Sequence, residues 1–167
     1  WVSYIKVCLK TDGIESATKL VGEAAEHIGD FSEGYMVLAN ALFESGQTEV
    51  ANLELARVLE TNPEDTKALL LRSKIFHAMG RFNEASVTIE SIIRNGNESY
   101  SLWNDLGVNK KKAGEHDAAK TALAAQNVID LSIAKKSKND RSVKNTEAGY
   151  LWAESHLEIM KGNYDKA

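Results

Sequence analysis

EGYMVLANALFESGQTEVANLELARVLETNPEDTKALLLRSKIFHAMGRFNEASVTIESIIR, residues 33–94, sets the frame for the rest of the chain. Gly46 and Gly80 are separated by a spacing of 34, as are Ala51 and Ala85, and Tyr35 and Leu69. One more step of the same size reaches Trp103, Gly114 and Ala119. Helical periodicity alone does not force small residues to recur at one long spacing. Three landmarks that keep one period over three units are the signature of stacked repeats rather than a single layered core.

Working outward, each unit reads as two helices. Ser32 is the expected cap of a helix through Glu44, with Tyr35, Leu38, Ala39 and Leu42 on its apolar stripe. Ser45-Gly46 ends it, and Val50, Ala51, Leu55, Val58 and Leu59 face inward from the return helix. Asn62-Pro63 then stops the chain and starts the next helix, because proline suits a first helical turn and disfavours helix at its predecessor. Leu69, Ile75, Phe76 and Met79 precede Gly80; Phe82, Ala85, Ile89, Ile92 and Ile93 follow it. Asn95-Gly96-Asn97 is a turn signal. A fourth pair runs from about Ser99 to Ala113, turns at Gly114 and resumes at Glu115.

The ends fit less well. In residues 1–30, Trp1, Tyr4, Ile5 and Cys8 make an apolar stripe, and a partner helix ends near Gly29, a residue suited to a left-handed cap. Gly13 sits one place late, so a displaced turn is expected. Gly22 inside the second helix reads as a tolerated blemish. Gly162 follows Gly114 at a spacing of 48, an excess of 14 over the period. The excess is placed in a prolonged return helix and a polar loop over residues 127–145. A fifth outward helix, about Thr146 to Lys161, precedes Gly162, Tyr164 and a truncated partner at Ala167. The units are therefore about 1–30, 31–64, 65–98, 99–145 and 146–167, a single repeat domain that reads as a fragment of a longer chain.

Small residues have a packing reason. Where two helix backbones approach within roughly 8 to 9 Å, only glycine, alanine or serine fits between them. Ala39, Ser73, Gly107 and Ser155 recur in the outward helices; Ala17, Ala51, Ala85, Ala119 and Ala167 recur in the return helices.

These residues resemble the tetratricopeptide repeat family, whose unit reads W-x₂-L-G-x₂-Y, then G-x-Y-x₂-A, with a proline near its end. Trp103, Leu106, Gly107, Gly114, Ala119 and Leu123 carry the match in the fourth unit. In the third it rests on Leu69, Ser73, Phe76, Gly80, Phe82, Ala85 and Ile89; in the second, on Tyr35 through Pro63. Departures are Arg72 for leucine, Lys110 for the aromatic, and Thr48 and His116 for tyrosine, whose two turns are expected to pack less tightly. The resemblance implies an all-α fold, a right-handed α-solenoid whose outward helices line a concave groove. Carried over residue by residue, the groove positions are Lys6 and Lys10; Met36, Asn40 and Phe43; Leu70, Lys74 and His77; Asn104, Val108, Lys111 and Lys112; and Trp152 and His156.

The resemblance implies a non-catalytic scaffold that binds a peptide or protein partner. Alternating apolar and basic groove residues suit a partner with acidic residues. The competing reading is a structural spacer or self-associating module within an assembly. Some family members hold the C-terminal Glu-Glu-Val-Asp tail of chaperones in a two-carboxylate clamp of lysine, asparagine and arginine. Here those positions carry Val2, Lys6, Val37, Lys67 and Leu71, and a second register meets Asp105 and Ala153, so that tail is not the expected ligand.

No other chemistry stands out. His27, His77, His116 and His156 lack metal-ligand spacing, Cys8 has no C-x₂-C companion, and no phosphate-binding or nucleophile-elbow motif occurs. Neither catalytic residues nor a cofactor are expected, and Glu147 and Glu154 read as solvated helix faces. With a formal charge of −4, nucleic acid is not the expected main partner. The basic stretch KKSKNDRSVK, residues 135–144, has no interleaved aromatic for base stacking. It reads as a solvated loop that could add a lateral docking edge. No run of apolar residues is long enough to predict a membrane span. The lone cysteine leaves the compartment open, with the cytoplasm slightly favoured.

Overall fold

A hydrogen bond, rather than a side chain, is the feature that repeats most faithfully. Gln47 N–H donates to Leu42 O at 2.9 Å, Arg81 N–H to Phe76 O at 2.8 Å, and Glu115 N–H to Lys110 O at 2.9 Å. Each is the preceding one shifted by one period. Inside each, Gly46, Gly80 and Gly114 donate to Phe43, His77 and Lys111 at 3.0, 3.1 and 3.2 Å. This pair of bonds is the Schellman closure of a helix C-terminus, which needs one left-handed residue. The three glycines supply it, with φ of 83°, 75° and 85°. The glycine recurrence in the sequence is therefore a backbone requirement.

The computed structural model describes residues 1–97 and 99–125. Within them lie α1 (Val2–Thr11), α2 (Ile14–Ile28), α3 (Ser32–Glu44), α4 (Thr48–Thr61), α5 (Thr66–Ala78), α6 (Phe82–Arg94) and α7 (Tyr100–Lys112). A further helix, α8, is described over residues 116–125. No strand occurs among the described residues, and the fold is an all-α helical repeat. The chain divides into two compact units, Trp1–Arg81 and Phe82–Ala167. The prolonged return helix and loop over 127–145, the fifth outward helix, Ser155, Gly162, Tyr164 and Ala167 lie outside the described residues.

In the first unit α1 packs on α2 and α3, α2 on α3, α3 on α4 and α5, and α4 on α5. Its core includes Ile5, Ala17, Val21, Leu38, Ala39, Ala51, Leu55 and Ile75. In the second unit α6 packs on α7 around Ala85, Ile89, Ile92, Trp103 and Leu106. The expected small residues are inside: Ala17, Ala39, Ala51 and Ala85 are fully buried, and Ser73 and Ala119 nearly so. Gly107 has a direct steric reason. A Cβ built there would stand 2.8 Å from Leu123 Cγ on α8. Gly22 has none, since a Cβ there meets nothing within 4 Å.

Five local expectations are corrected. Trp1 and Tyr4 are 51% and 62% exposed, so the buried stripe of α1 narrows to Ile5 and Cys8. Val50 is 42% exposed, one residue off the Ala51–Leu55–Val58 stripe. Ser32 is the first helical residue and not the cap; Asp30 Oδ1 accepts from its N–H at 3.1 Å and its hydroxyl at 2.6 Å. Pro63 lies in a turn, and α5 begins only at Thr66, because the carboxylate of Asp65 accepts from Ala68 N–H at 2.9 Å. Asn62 is extended, as the residue before a proline should be.

The fifth correction concerns the first turn. Gly13 N–H donates to Cys8 O at 3.0 Å, a closure bond that stands one full period before that of Gln47 and Leu42. The turn is thus in register. Only its left-handed residue moves one place, to Gly13 at φ 86°, while Asp12 keeps a right-handed conformation.

Candidate functional face

The outward helices α1, α3 and α5 stand side by side in the first unit, α1 against α3 and α3 against α5. Residues at i, i+4 and i+7 lie along one stripe of a helix. On α3 that stripe carries Met36, Asn40 and Phe43; the repeat period matches it to Leu70, Lys74 and His77 on α5, and to Val2, Lys6 and Leu9 on α1. The three stripes grade alike in exposure. Lys6, Asn40 and Lys74, in the middle, are exposed, while the flanking Val2, Leu9, Met36, Phe43, Leu70 and His77 are half-buried. A polar row thus runs across three helices between two rows of partly accessible, mostly apolar side chains. Lys10 is exposed at the end of α1.

Asn40 uses one amide hydrogen on its own helix, Nδ2 to Met36 O at 2.9 Å. The hydroxyl of Ser73 similarly donates to Leu70 O at 2.8 Å. Asn40 stays exposed on the face, whereas Ser73 is buried.

In the second unit, the matching stripe of α7 carries Asn104, half-buried, with Val108 and Lys111 exposed. Lys112 is exposed too, and its Nζ lies 5.1 Å from the centroid of the Phe82 ring, within cation–π range. Trp152 and His156 lie outside the described residues.

In the first unit two of the three outward helices carry only basic charge, which reading the motifs alone did not reveal. α1 carries Lys6 and Lys10 and no acid; α5 carries Lys67, Arg72 and Lys74 and no acid. On α3, Glu33 and Glu44 sit at its two ends, leaving its centre uncharged. The return helices are acidic: α2 sets Glu15, Glu23 and Glu26 against Lys19, and α4 sets Glu49, Glu54 and Glu60 against Arg57. Counting charge helix by helix would have found this, whereas the total of −4 hides it.

Two residues singled out as departures have partners. Arg72 places its guanidinium 5.2 Å from the Phe76 ring centroid, and Arg81 lies 4.6 Å from the same ring. Lys110 is held by two carboxylates, Glu90 at 3.2 Å and Glu115 at 2.9 Å, with its side chain only 13% exposed. Burial works against its charge, but the two carboxylates outweigh this and hold the ammonium above its ordinary range. Cys8 is buried, and that burial, aided by the nearby Asp12 carboxylate, pushes its thiol up and away from reactive thiolate character.

Among the described residues, no group of three or more His, Cys, Asp or Glu side chains could hold a metal ion. No helix there is long and apolar enough to cross a membrane.

Residues 42–106 match the family model of the Tetratricopeptide repeat. No curated protein matches the chain. The match spans the helices and turns between Leu42 and Leu106, where closure bonds, glycines and buried alanines share one period. Repeats of this family generally mediate protein–protein interactions and typically serve as non-catalytic scaffolds. By that match and that recurrence, residues 42–106 carry tetratricopeptide repeats.

Proposed function

We propose that this chain is a non-catalytic interaction scaffold that receives an acidic peptide or protein segment on the face of its outward helices. The observation that carries the reading is the sorting of charge. α1 and α5 bear only basic charges, the centre of α3 is neutral, and the intervening α2 and α4 are acidic. Such a face attracts an acidic partner and repels a basic one, giving specificity and faster encounter more than raw affinity. The half-buried Met36, Phe43 and Leu70 add apolar area that a bound segment would cover. Asn104, Val108, Lys111 and Lys112 offer a similar mixture on α7, and Trp152 and His156 complete the set proposed from the repeat pattern.

The test uses an array of acidic, neutral and basic peptides of equal length. Wild-type chain retains acidic peptides at low salt and releases them as salt rises. The Lys74→Glu, Lys111→Glu double variant loses that selectivity while its thermal unfolding stays near wild type. Equal retention of all three peptide classes overturns the proposal.

A second reading, a spacer or self-association module, has one observation in its favour. Trp1, just before α1, and Tyr4 and Val7 on it are 51%, 62% and 54% exposed. It requires a mass that rises with concentration in light scattering and returns to that of one chain on Tyr4→Ser substitution.

A further inference from the structure

Resting on the acidic-partner reading above, we infer that this face selects an extended segment crossing the helices, with two acidic side chains set apart and an uncharged stretch between them. The central row consists of Lys6, Asn40 and Lys74 on three adjacent helices, all exposed. It is cationic at both ends and neutral in the middle. The row has no cation to meet a third acid.

Direction follows from the same helices. A segment lying along α3 would meet Glu33 in the first turn and Glu44 at the last residue, both repelling an acidic partner. A segment lying across α1, α3 and α5 meets Lys6, Asn40 and Lys74 instead. Met36 and Phe43 flank Asn40 on α3, half-buried, so the middle of the crossing segment lies on apolar surface.

Spacing follows from geometry. Packed helix axes lie about 8 to 10 Å apart, so the step from α1 to α5 covers roughly 16 to 20 Å. An extended chain rises about 3.3 Å per residue, and alternate side chains point to the same side. The two acids therefore fall about six residues apart, an even number that turns both toward the lysines. A contiguous acidic run concentrates its charge at one lysine and leaves the other unmatched.

The probes are two synthetic peptides of identical composition. One has two glutamates about six residues apart with leucine and serine between them; the other has the glutamates adjacent. An all-serine variant of the acidic positions is the blank. Binding to the 167-residue chain is measured by fluorescence anisotropy at low and physiological salt. The spaced peptide binds wild type at least about fivefold more tightly than the adjacent one, since two exposed ion pairs form instead of one. Lys6→Glu and Lys74→Glu each remove that preference; circular dichroism melts close to wild type show that both variants fold. If both acidic peptides bind equally well and both are lost in Lys74→Glu, the spacing inference fails and the acidic-partner reading survives. An unaffected preference in Lys6→Glu also overturns the crossing geometry. If neither peptide exceeds the blank, the inference and the reading beneath it fall together.

Discussion

Lys110 and Glu115 meet, 2.9 Å from Nζ to Oε2, at the place where Phe76 and Arg81 meet one repeat earlier. Both pairs join the third residue before a helix cap to the second residue after it, the positions whose side chains usually seal a Schellman turn. In α5 the seal is a guanidinium over a ring; in α7 it is an ion pair, strengthened by Glu90. The backbone closure is the same in both, so it tolerates different side-chain chemistry at these two positions.

That substitution makes the second unit sensitive to alkali. The Lys110 ammonium is held above its ordinary range, so its contribution to stability is complete below the pH where an unfolded lysine titrates, about 10.4. It is lost as pH rises through the higher folded value. Lys110→Leu, which restores the residue type of Leu42, should leave stability at neutral pH within about 1 kcal/mol of wild type. Replacing a buried ion pair by a well-packed apolar group is often neutral or better. Glu90 and Glu115 keep 30% and 43% exposure and can hydrate once unpaired. Urea unfolding at neutral pH and at about pH 11 checks this: the wild type should weaken more than the variant between the two. Parallel losses would mean that the triad does not govern the alkaline limb.

Two glycines should respond to alanine with opposite signs. Gly80 holds φ at 75° inside the closure between Phe76 and Arg81, a conformation that costs an L-residue about 1 kcal/mol. Gly80→Ala should destabilise by roughly that amount. Gly22 lies in α2 with nothing within 4 Å of a built Cβ, so Gly22→Ala should stabilise by about 0.5–1 kcal/mol through helix propensity. Chemical denaturation midpoints decide the matter, and a loss of stability in Gly22→Ala would show that the site needs glycine for a reason other than space.

The start of α5 depends on one carboxylate. Asp65 accepts from Ala68 N–H at 2.9 Å, and the preceding Asn62 and Glu64 form a turn that does not enter the helix. Asp65→Ala should cost about 1 kcal/mol, the usual effect of removing such a cap, and Asp65→Ser should recover most of it. Hydrogen exchange should report faster opening at Ala68 in the alanine variant. Unchanged exchange there would assign the helix start to packing instead.

Much of this arrangement was legible in the sequence because one spacing served several needs at once. Gly46, Gly80 and Gly114 answer a backbone requirement, and Ala51, Ala85 and Ala119 a packing one, so their common period located turns and helix crossings together. The helix starts were harder to read. Ser32 and Pro63 both suit a helical first turn, yet Asp30 and Asp65 supply the hydrogen bonds, a competition that residue preferences rank poorly. Trp1 and Tyr4 fit the apolar stripe of α1 by spacing, but spacing does not say which neighbour covers a stripe. For the candidate face, the period picked out Met36, Asn40 and Phe43 with their equivalents on α5. The charge sorting that gives the face its proposed partner emerged only once each helix was bounded.

The contact between α7 and α8 tests the small-residue rule at its tightest point. Gly107 takes the place of Ala39 and Ser73, but here even a methyl group is too much: it would stand 2.8 Å from Leu123 Cγ and 2.9 Å from Cδ2. Leu123 is 37% exposed, so it can yield only by lifting further into solvent. Gly107→Ala should therefore gain helix propensity of about 1 kcal/mol and lose more to overpacking, typically about 1–3 kcal/mol, for a net destabilisation. Adding Leu123→Ala removes the obstructing atoms, so the double variant should be more stable than the sum of the single effects predicts. A double-mutant cycle in urea measures this coupling directly. Simple additivity would mean that the helices do not meet at these two residues in solution, and the glycine at 107 would then owe nothing to close approach.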